Sequence, residues 1–519
     1  MPLLGIIRVA GFPRDYPTLG ALRRSFLGGG SMAADPKRPR VEPPPKVVIL
    51  AGPTASGKSD VAAQLCATWR GLIVSADSVQ AYRGVHIGAN KPTADERVAT
   101  PHLLIDVADA ATNYNAATWR RDALYCIRAL TQTPWLEDDP DRDDDDDDDA
   151  TVARHRLVDA DLVKARTTKG YAPNEPVLPV VVGGTMMYLQ WLVHGRPDAL
   201  RPTERALATA LDLVTDYQDR QDWEGAVAKA CQFGPKFAQQ VSKLCGRDWY
   251  RLRRILEIAL TVQEKGNDDE SLLEGLYSGQ REDKLASLGY DVRCFFLCPT
   301  DRMVHAKVVD ERCEQMIQRG LLQETTDLAV ASQLPDMAAK AIGYRQTLDY
   351  LESRDVQDND KDAFISYLEE FTTATRRYSK RQMQWFRRDK DFCFVPISFN
   401  ETKQERVEAA AAEIGRLLAM SREDYDRERV KPESVSETTR NDNEAQGKTM
   451  KTYQFARKIL VDDSEALMDV LEQADECRYR FYGINNPPTL FLNTKEKQAS
   501  SHPVSLPCLS ASSEQLSAS

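Results

Sequence analysis

Three observations predict an α/β fold in which a P-loop NTPase-like parallel sheet is flanked by helices. The apolar run Val47–Ala51 leads directly into "GPTASGKS", and an apolar-periodic helix follows over Lys58–Trp69. A second apolar strand, "GLIVSAD" at 71–77, arrives at the spacing of a βαβ unit. Two further strands, "PVLPVVVGGT" at 176–185 and "VRCFFLCP" at 292–299, are apolar throughout, as strands covered on both faces must be.

In chain order, residues 1–46 precede the fold as a disordered or targeting segment. Residues 1–31 carry Arg8, Arg14, Arg23 and Arg24 against Asp15, which suits a matrix-targeting presequence, although Pro2, Pro13 and Pro17 work against an amphipathic helix. Met32 offers a second start, and "PKRPRVEPPPK" at 36–46 reads either as a nuclear signal or as a basic linker. The expected localisation is mitochondrial and cytoplasmic, with a nuclear form left open.

The first part of the core spans 47–196 and includes a helix near Ala116–Leu130. Within it, 137–175 lacks apolar periodicity and reads as an acidic disordered insertion. Residues 197–290 are helical and polar, a small inserted domain. Residues 291–420 complete the core and supply basic helices, and 421–519 read as a linker and a poorly defined tail. Within that stretch 421–450 is the linker, 451–480 suits a further helix, and the Ser-rich end is expected to be disordered.

Composition limits the class. With 42% hydrophobic residues the chain buries a sizeable core, and no apolar run approaches the roughly 20 residues of a membrane span, so a soluble protein is expected. The ten cysteines show neither paired nor metal-ligand spacing, which fits reduced thiols. The net charge of −11 is unevenly spread: "DDPDRDDDDDDD" at 138–149 holds ten Asp against one Arg. Conversely, "RRYSKRQMQWFRRDK" at 376–390 holds seven basic residues against one Asp, so a polyanionic partner is not excluded.

Gly52, Gly57, Lys58 and Ser59 spell G-x-x-x-x-G-K-S. Backbone N–H groups of such a loop surround phosphate at a helix N-terminus; Lys58 reaches a terminal phosphate and Ser59 helps hold Mg²⁺. An ordinary ATPase also needs a carboxylate at a neighbouring strand end. "PVVVGG" ends in glycines, leaving Asp77 at the end of "LIVSAD". Asp77, Ser78 and Gln80 lie just past a strand end, on the rim where parallel sheets place their sites. Asp77 either binds metal indirectly or accepts a proton, and Gln80 suits the edge of a base; a plain capping turn with an exposed Gln80 fits as well.

"GPTASGKS", "SADSVQAYRG", "IGANKPT", "PHLLID", "RRDAL", "VVVGGTMMYL" and "AIGYRQ" occur in the order and approximate spacing of the tRNA dimethylallyltransferases, also called tRNA isopentenyltransferases. The sequence resembles that family from 47 to about 396, with Leu103, Val79 and Ala81 as mild departures. The resemblance implies a helical insertion that grips the anticodon arm. It also implies transfer of dimethylallyl from dimethylallyl diphosphate to N6 of adenosine 37 in tRNA, with Mg²⁺. Thr54, Ala55, Ser56, Gly57, Lys58 and Ser59 would then cradle the donor diphosphate, with Arg345 of "GYRQ" joining the clamp. Asp77 would take the N6 proton and Thr185 would hydrogen-bond near the reacting centre. Ser78, Gln80, Gly343, Tyr344 and Gln346 would meet the anticodon loop, and Arg251 and Arg254 of "RDWYRLRRILEI" its backbone. Arg121 faces either the same channel or the helix surface. Many eukaryotic members carry a zinc finger at their C-terminal end; Cys477, Cys508 and His502 lack its spacing.

Three rivals remain at this point: prenyl transfer to free AMP, ADP or ATP, a small-molecule kinase, and a noncatalytic RNA-binding protein. The helical insertion and two basic helices favour tRNA over a free nucleotide. The family resemblance suggests a monomer with no membrane association.

Overall fold

The computed structural model describes residues 43–131, 149–172, 175–197, 202–244, 247–264, 281–282, 284–353, 360–430, 450 and 453–482. The targeting and nuclear-signal readings, nearly all of the acidic run and the Ser-rich end fall outside them. Among the described residues no helix is long and apolar enough to cross a membrane.

The chain enters through β1 (Lys46–Ala51), α1 (Lys58–Trp69) and β2 (Gly71–Ala76), then α2 (Ala94–Ala99) and β3 (His102–Leu103). Next come α3 (Ala116–Thr131), α4 (Asp149–Lys169), β4 (Leu178–Gly183) and α5 (Met186–His194). β5 (Arg196–Pro197) pairs antiparallel with the later β6 (Arg281–Glu282), so the chain leaves and rejoins the core at one place. Between them lie α6 (Glu204–Asp219), α7 (Trp223–Cys231), α8 (Pro235–Val241) and α9 (Trp249–Glu264). These four have a core of their own, in which Val214, Phe237, Leu252 and Leu256 meet. All four lie within the stretch 197–290 that the sequence reads as helical and polar.

After β7 (Asp291–Pro299) follow α10 (Arg302–Gln318), α11 (Leu321–Val330), α12 (Asp336–Ala339), α13 (Tyr344–Leu351) and the long α14 (Lys361–Phe386). β8 (Phe392–Ile397), α15 (Lys403–Ala419), α16 (Arg422–Val430) and α17 (Glu465–Tyr482) complete the described chain. The main sheet has the order β3-β2-β4-β1-β7-β8, with every neighbouring pair parallel. Alternate residues of β1 explain its continuous apolar run. Val47, Ile49 and Ala51 join the larger core, whereas Val48 and Leu50 pack with Val61, Leu65, Ile414 and Leu417 of α1 and α15.

Two expectations change. The stretch 137–175 is not wholly an unstructured insertion, because Asp149–Lys169 is helix. Val158, Leu162 and Ala165, at i, i+4 and i+7, are buried in the larger core. The stripe is too narrow to stand out, and polar groups do much of the docking. Arg154 meets Asp122 at 3.2 Å, and Tyr125 donates to Asp159 at 2.6 Å. Likewise 421–519 is not only linker and tail, since α16 and residues 453–482 pack on the core, burying Tyr425, Leu467 and Val470.

Candidate active site

The carboxyl ends of β1, β2 and β4 meet at one rim. Beyond β1 the chain turns through Gly57, whose φ of 81° lies where side chains are strained, and α1 starts at Lys58. The loop is held from outside. Thr54 N–H donates to Gln382 Oε1 at 2.9 Å, and Gln382 Nε2 donates to Gly184 O at 2.9 Å. A Cβ on Gly183 would lie 2.1 Å from the backbone oxygen of Ala76 on β2, which explains the glycine where β4 ends. Burial pushes the His305 pKa down to about 4; the neutral ring donates from Nε2 to Thr54 O at 2.9 Å.

Thr54, Ala55, Ser56, Gly57, Lys58 and Ser59 line a cavity of about 470 Å³. Gly52 is buried at the end of β1, beneath the loop and off the cavity wall. Arg312 of α10 and Arg319, the residue that caps its C-terminal end, also line the cavity. Arg312 makes no hydrogen bond or ion pair with any described residue. Lys58 is pulled down to about 7, chiefly by burial and then by Arg312, with Asp77 partly opposing. Its Nζ donates to Pro53 O at 2.8 Å. The buried Ser56 Oγ has no hydrogen-bond partner among the described residues. A wall of cations, loop amides and an unengaged hydroxyl fits a polyphosphate anion.

A second cavity of about 400 Å³ adjoins the first, sharing Thr54, Asp77, Ala89, Arg312 and Tyr378. Its wall combines Val79, Met316, Ile342 and Phe371 with Lys340 and Arg381. Asp77 stands at the junction. Its Oδ1 accepts from Val79 N–H at 2.9 Å and Gln80 N–H at 3.2 Å, leaving Oδ2 without a hydrogen bond to described residues. The capping-turn and site readings are therefore compatible. Thr185 Oγ1, in the second cavity, accepts from Ser78 N–H at 3.2 Å and ties the ends of β2 and β4 together.

Other expected contacts are placed differently. The Gln80 amide is spent inside the protein: Nε2 donates to Ala89 O and Asn90 O, both at 3.2 Å, and Oε1 accepts from Ser75. Tyr344 is buried and donates to Glu324 at 2.6 Å; Glu324 also receives N–H groups of His86, Ile87 and Gly88. Gln346 caps α13 through Gly343 N–H at 3.0 Å. Within "GYRQ", Tyr344 thus buttresses the "IGANKPT" loop and Gln346 closes the helix start, so these two side chains are engaged inside the protein. Arg345 lines neither cavity; its side chain is 67% exposed, with Nε 3.7 Å from Asp349. A clamp role fits Arg312 instead, a lone arginine far along the chain that no motif marked. Its only sequence signal is the pair Arg312 and Arg319, seven apart and so near one helix face. Gln382 was missed similarly, within a run read only for its charge. Arg121 lines neither cavity and bonds Thr151 at 2.9 Å. Arg251 and Arg254 lie on α9, pairing with Asp248 and Glu257.

A parallel sheet with a phosphate loop at its carboxyl rim, and a carboxylate between that loop and a second cavity, define a P-loop α/β enzyme. Residues 80–135 and 164–389 match the IPPT (IPP transferase) family. The tRNA dimethylallyltransferase 9 of Arabidopsis thaliana is 30% identical over 401 residues, spanning 72% of this chain and 77% of that protein. The tRNA dimethylallyltransferase of Methylococcus capsulatus is 31% identical over 354 residues, 66% and 90% of the two chains. A solved eukaryotic dimethylallyltransferase acting on tRNA aligns over 88% of this chain and 98% of its own, at 19% identity and a TM-score of 0.48. The chain belongs to the IPP transferase family.

Proposed function

We propose that this protein transfers the dimethylallyl group of dimethylallyl diphosphate to N6 of adenosine 37 in tRNA, releasing diphosphate. The observation that carries the reading is the position of Asp77, between a phosphate-binding cavity and a cavity with an apolar wall. The first fits the leaving diphosphate; the second fits a prenyl chain and a base turned out of its stack.

As the C1–O bond breaks, negative charge accumulates on the diphosphate. Loop amides, Lys58 and Arg312 face that charge where it develops. The N6 lone pair is delocalised into adenine, so the amine needs help: Asp77 Oδ2 orients it and takes its proton as the N6–C1 bond forms. Thr185 holds the turn that carries Asp77. The Ser59 hydroxyl is on the cavity wall and has no partner among the described residues, so it fits as a Mg²⁺ ligand. When bound there with diphosphate oxygens, Mg²⁺ would supply further charge neutralisation. Arg251, Arg254 and Arg381 would meet RNA phosphates by exchanging present partners or solvent. The composition of residues 1–31 supports delivery of a fraction to mitochondria, which imaging of a tagged full chain would test.

The test is incubation with labelled dimethylallyl diphosphate and either unmodified tRNA or free adenine nucleotides. Label in tRNA that disappears when adenosine 37 is replaced supports the proposal. Label confined to AMP, ADP or ATP would replace it with the nucleotide-modifying reading.

A further inference from the structure

Residues 453–482 pack against the helix that carries Arg312. That helix, α10, has two occupied faces. His305, Arg312, Met316 and Arg319 face the phosphate loop and the cavities. Asp310 and Glu314, on the opposite side, are almost fully buried, at 1% and 0% exposure. The Glu314 carboxylate accepts N–H groups from three successive residues, Lys458 at 3.0 Å and Ile459 and Leu460 at 2.8 Å. Successive amides turned onto one anion form a strong, directional cradle. Asp310 accepts from Tyr453 at 2.6 Å and pairs with Arg376, whose guanidinium lies 5.1 Å from the Tyr453 ring centre. Lys458 Nζ reaches Glu311 at 2.6 Å. Beyond this stretch α17 lies on α11, and Arg480 meets Asp327 at 2.6 Å.

The inner face of α10 needs such support. Arg312 and Arg319 stand across a small cavity from Lys58, and Arg312 has no ion-pair partner among the described residues. Like charges across a desolvated gap push the helix away from the loop until an anion arrives. We propose that residues 453–482 form a strap that holds α10 against the phosphate loop, with Glu314 a positioning residue that sets Arg312 for diphosphate. This rests on assigning the first cavity to the diphosphate.

The experiment measures binding of inorganic diphosphate to the full chain by calorimetry, with tRNA affinity and melting temperature recorded in parallel. Arg312→Ala should weaken diphosphate roughly 30-fold and Glu314→Ala roughly tenfold, with tRNA affinity within about twofold of wild type. Glu314→Gln keeps an oxygen for Ile459 and Leu460 and should recover most of the loss. Because Glu314 acts through Arg312, the double variant should lose no more than Arg312→Ala. Val395→Ala, on the edge strand β8 and off both cavity walls, controls for lost stability and should leave diphosphate affinity unchanged. Additive losses in the double variant, or equal losses in Val395→Ala and Glu314→Ala, would overturn the strap. So would an unchanged Glu314→Ala. An unaffected Arg312→Ala would instead overturn the diphosphate assignment.

Discussion

Asp77 divides its two oxygens: Oδ1 closes a turn with Val79 and Gln80, and Oδ2 is left to the junction of two cavities. Asp77→Asn keeps an acceptor for the turn but removes the proton acceptor. Single-turnover transfer should fall about 100-fold or more while tRNA affinity stays within about twofold. A variant with near-normal turnover would refute the role. Lys58 supplies a second test. Its pKa is lowered to about 7, so the free protein carries the cation below that pH and loses it above. Diphosphate requires the charged form. Affinity for dimethylallyl diphosphate, an ester whose last phosphate ionisation lies at about 6, should therefore weaken by nearly tenfold per pH unit from pH 7.5 to 9. Lys58→Ala should abolish this slope. Lys58 and Asp77 were legible in the sequence because each follows a buried strand, where chain direction alone sets the rim. Arg312 was not, because its place depends on how α10 crosses the sheet.

Among the elements, α4 shows what periodicity misses. Its apolar stripe is three residues wide, and its attachment runs through Asp122, a fully buried carboxylate on α3. Arg154 pairs with Asp122 at 3.2 Å, while Tyr114 donates to it at 2.9 Å. Arg154→Ala leaves the carboxylate buried with only neutral or histidine partners. Breaking such a pair costs about 3 kcal/mol, which chemical denaturation at neutral pH should reveal. Arg154→Met should recover part of the loss by refilling apolar volume. β1, β2, β4 and β7 were readable to within about two residues because a parallel sheet demands continuous apolar runs. The edge strands β3, two residues long, and β8, with Pro396 within it, were not. Nor were α4 and the docking of the strap, since charged groups buried by partners look like solvated charges in one dimension.

At the scale of the molecule, a chain of net charge −11 must approach a polyanion through local positive charge. The acidic run holds ten Asp, so the global figure says little about the face around the cavities. Lys340 and Arg381 line the second cavity, and Arg251 is 64% exposed on the separate helical unit. If both regions meet tRNA phosphates, log affinity should fall linearly with log salt, each contact contributing a slope near −0.9 for duplex or −0.7 for single-stranded RNA-like backbone. Arg251→Ala and Arg381→Ala should each reduce the slope by about one, alike across tRNA sequences. Asp77→Asn should leave it unchanged, because Asp77 addresses one amine rather than the backbone. An unchanged slope in Arg251→Ala would remove the helical unit from the interface. With it would go the main reason to prefer tRNA over a free nucleotide, since a single nucleotide spans only the two joined cavities.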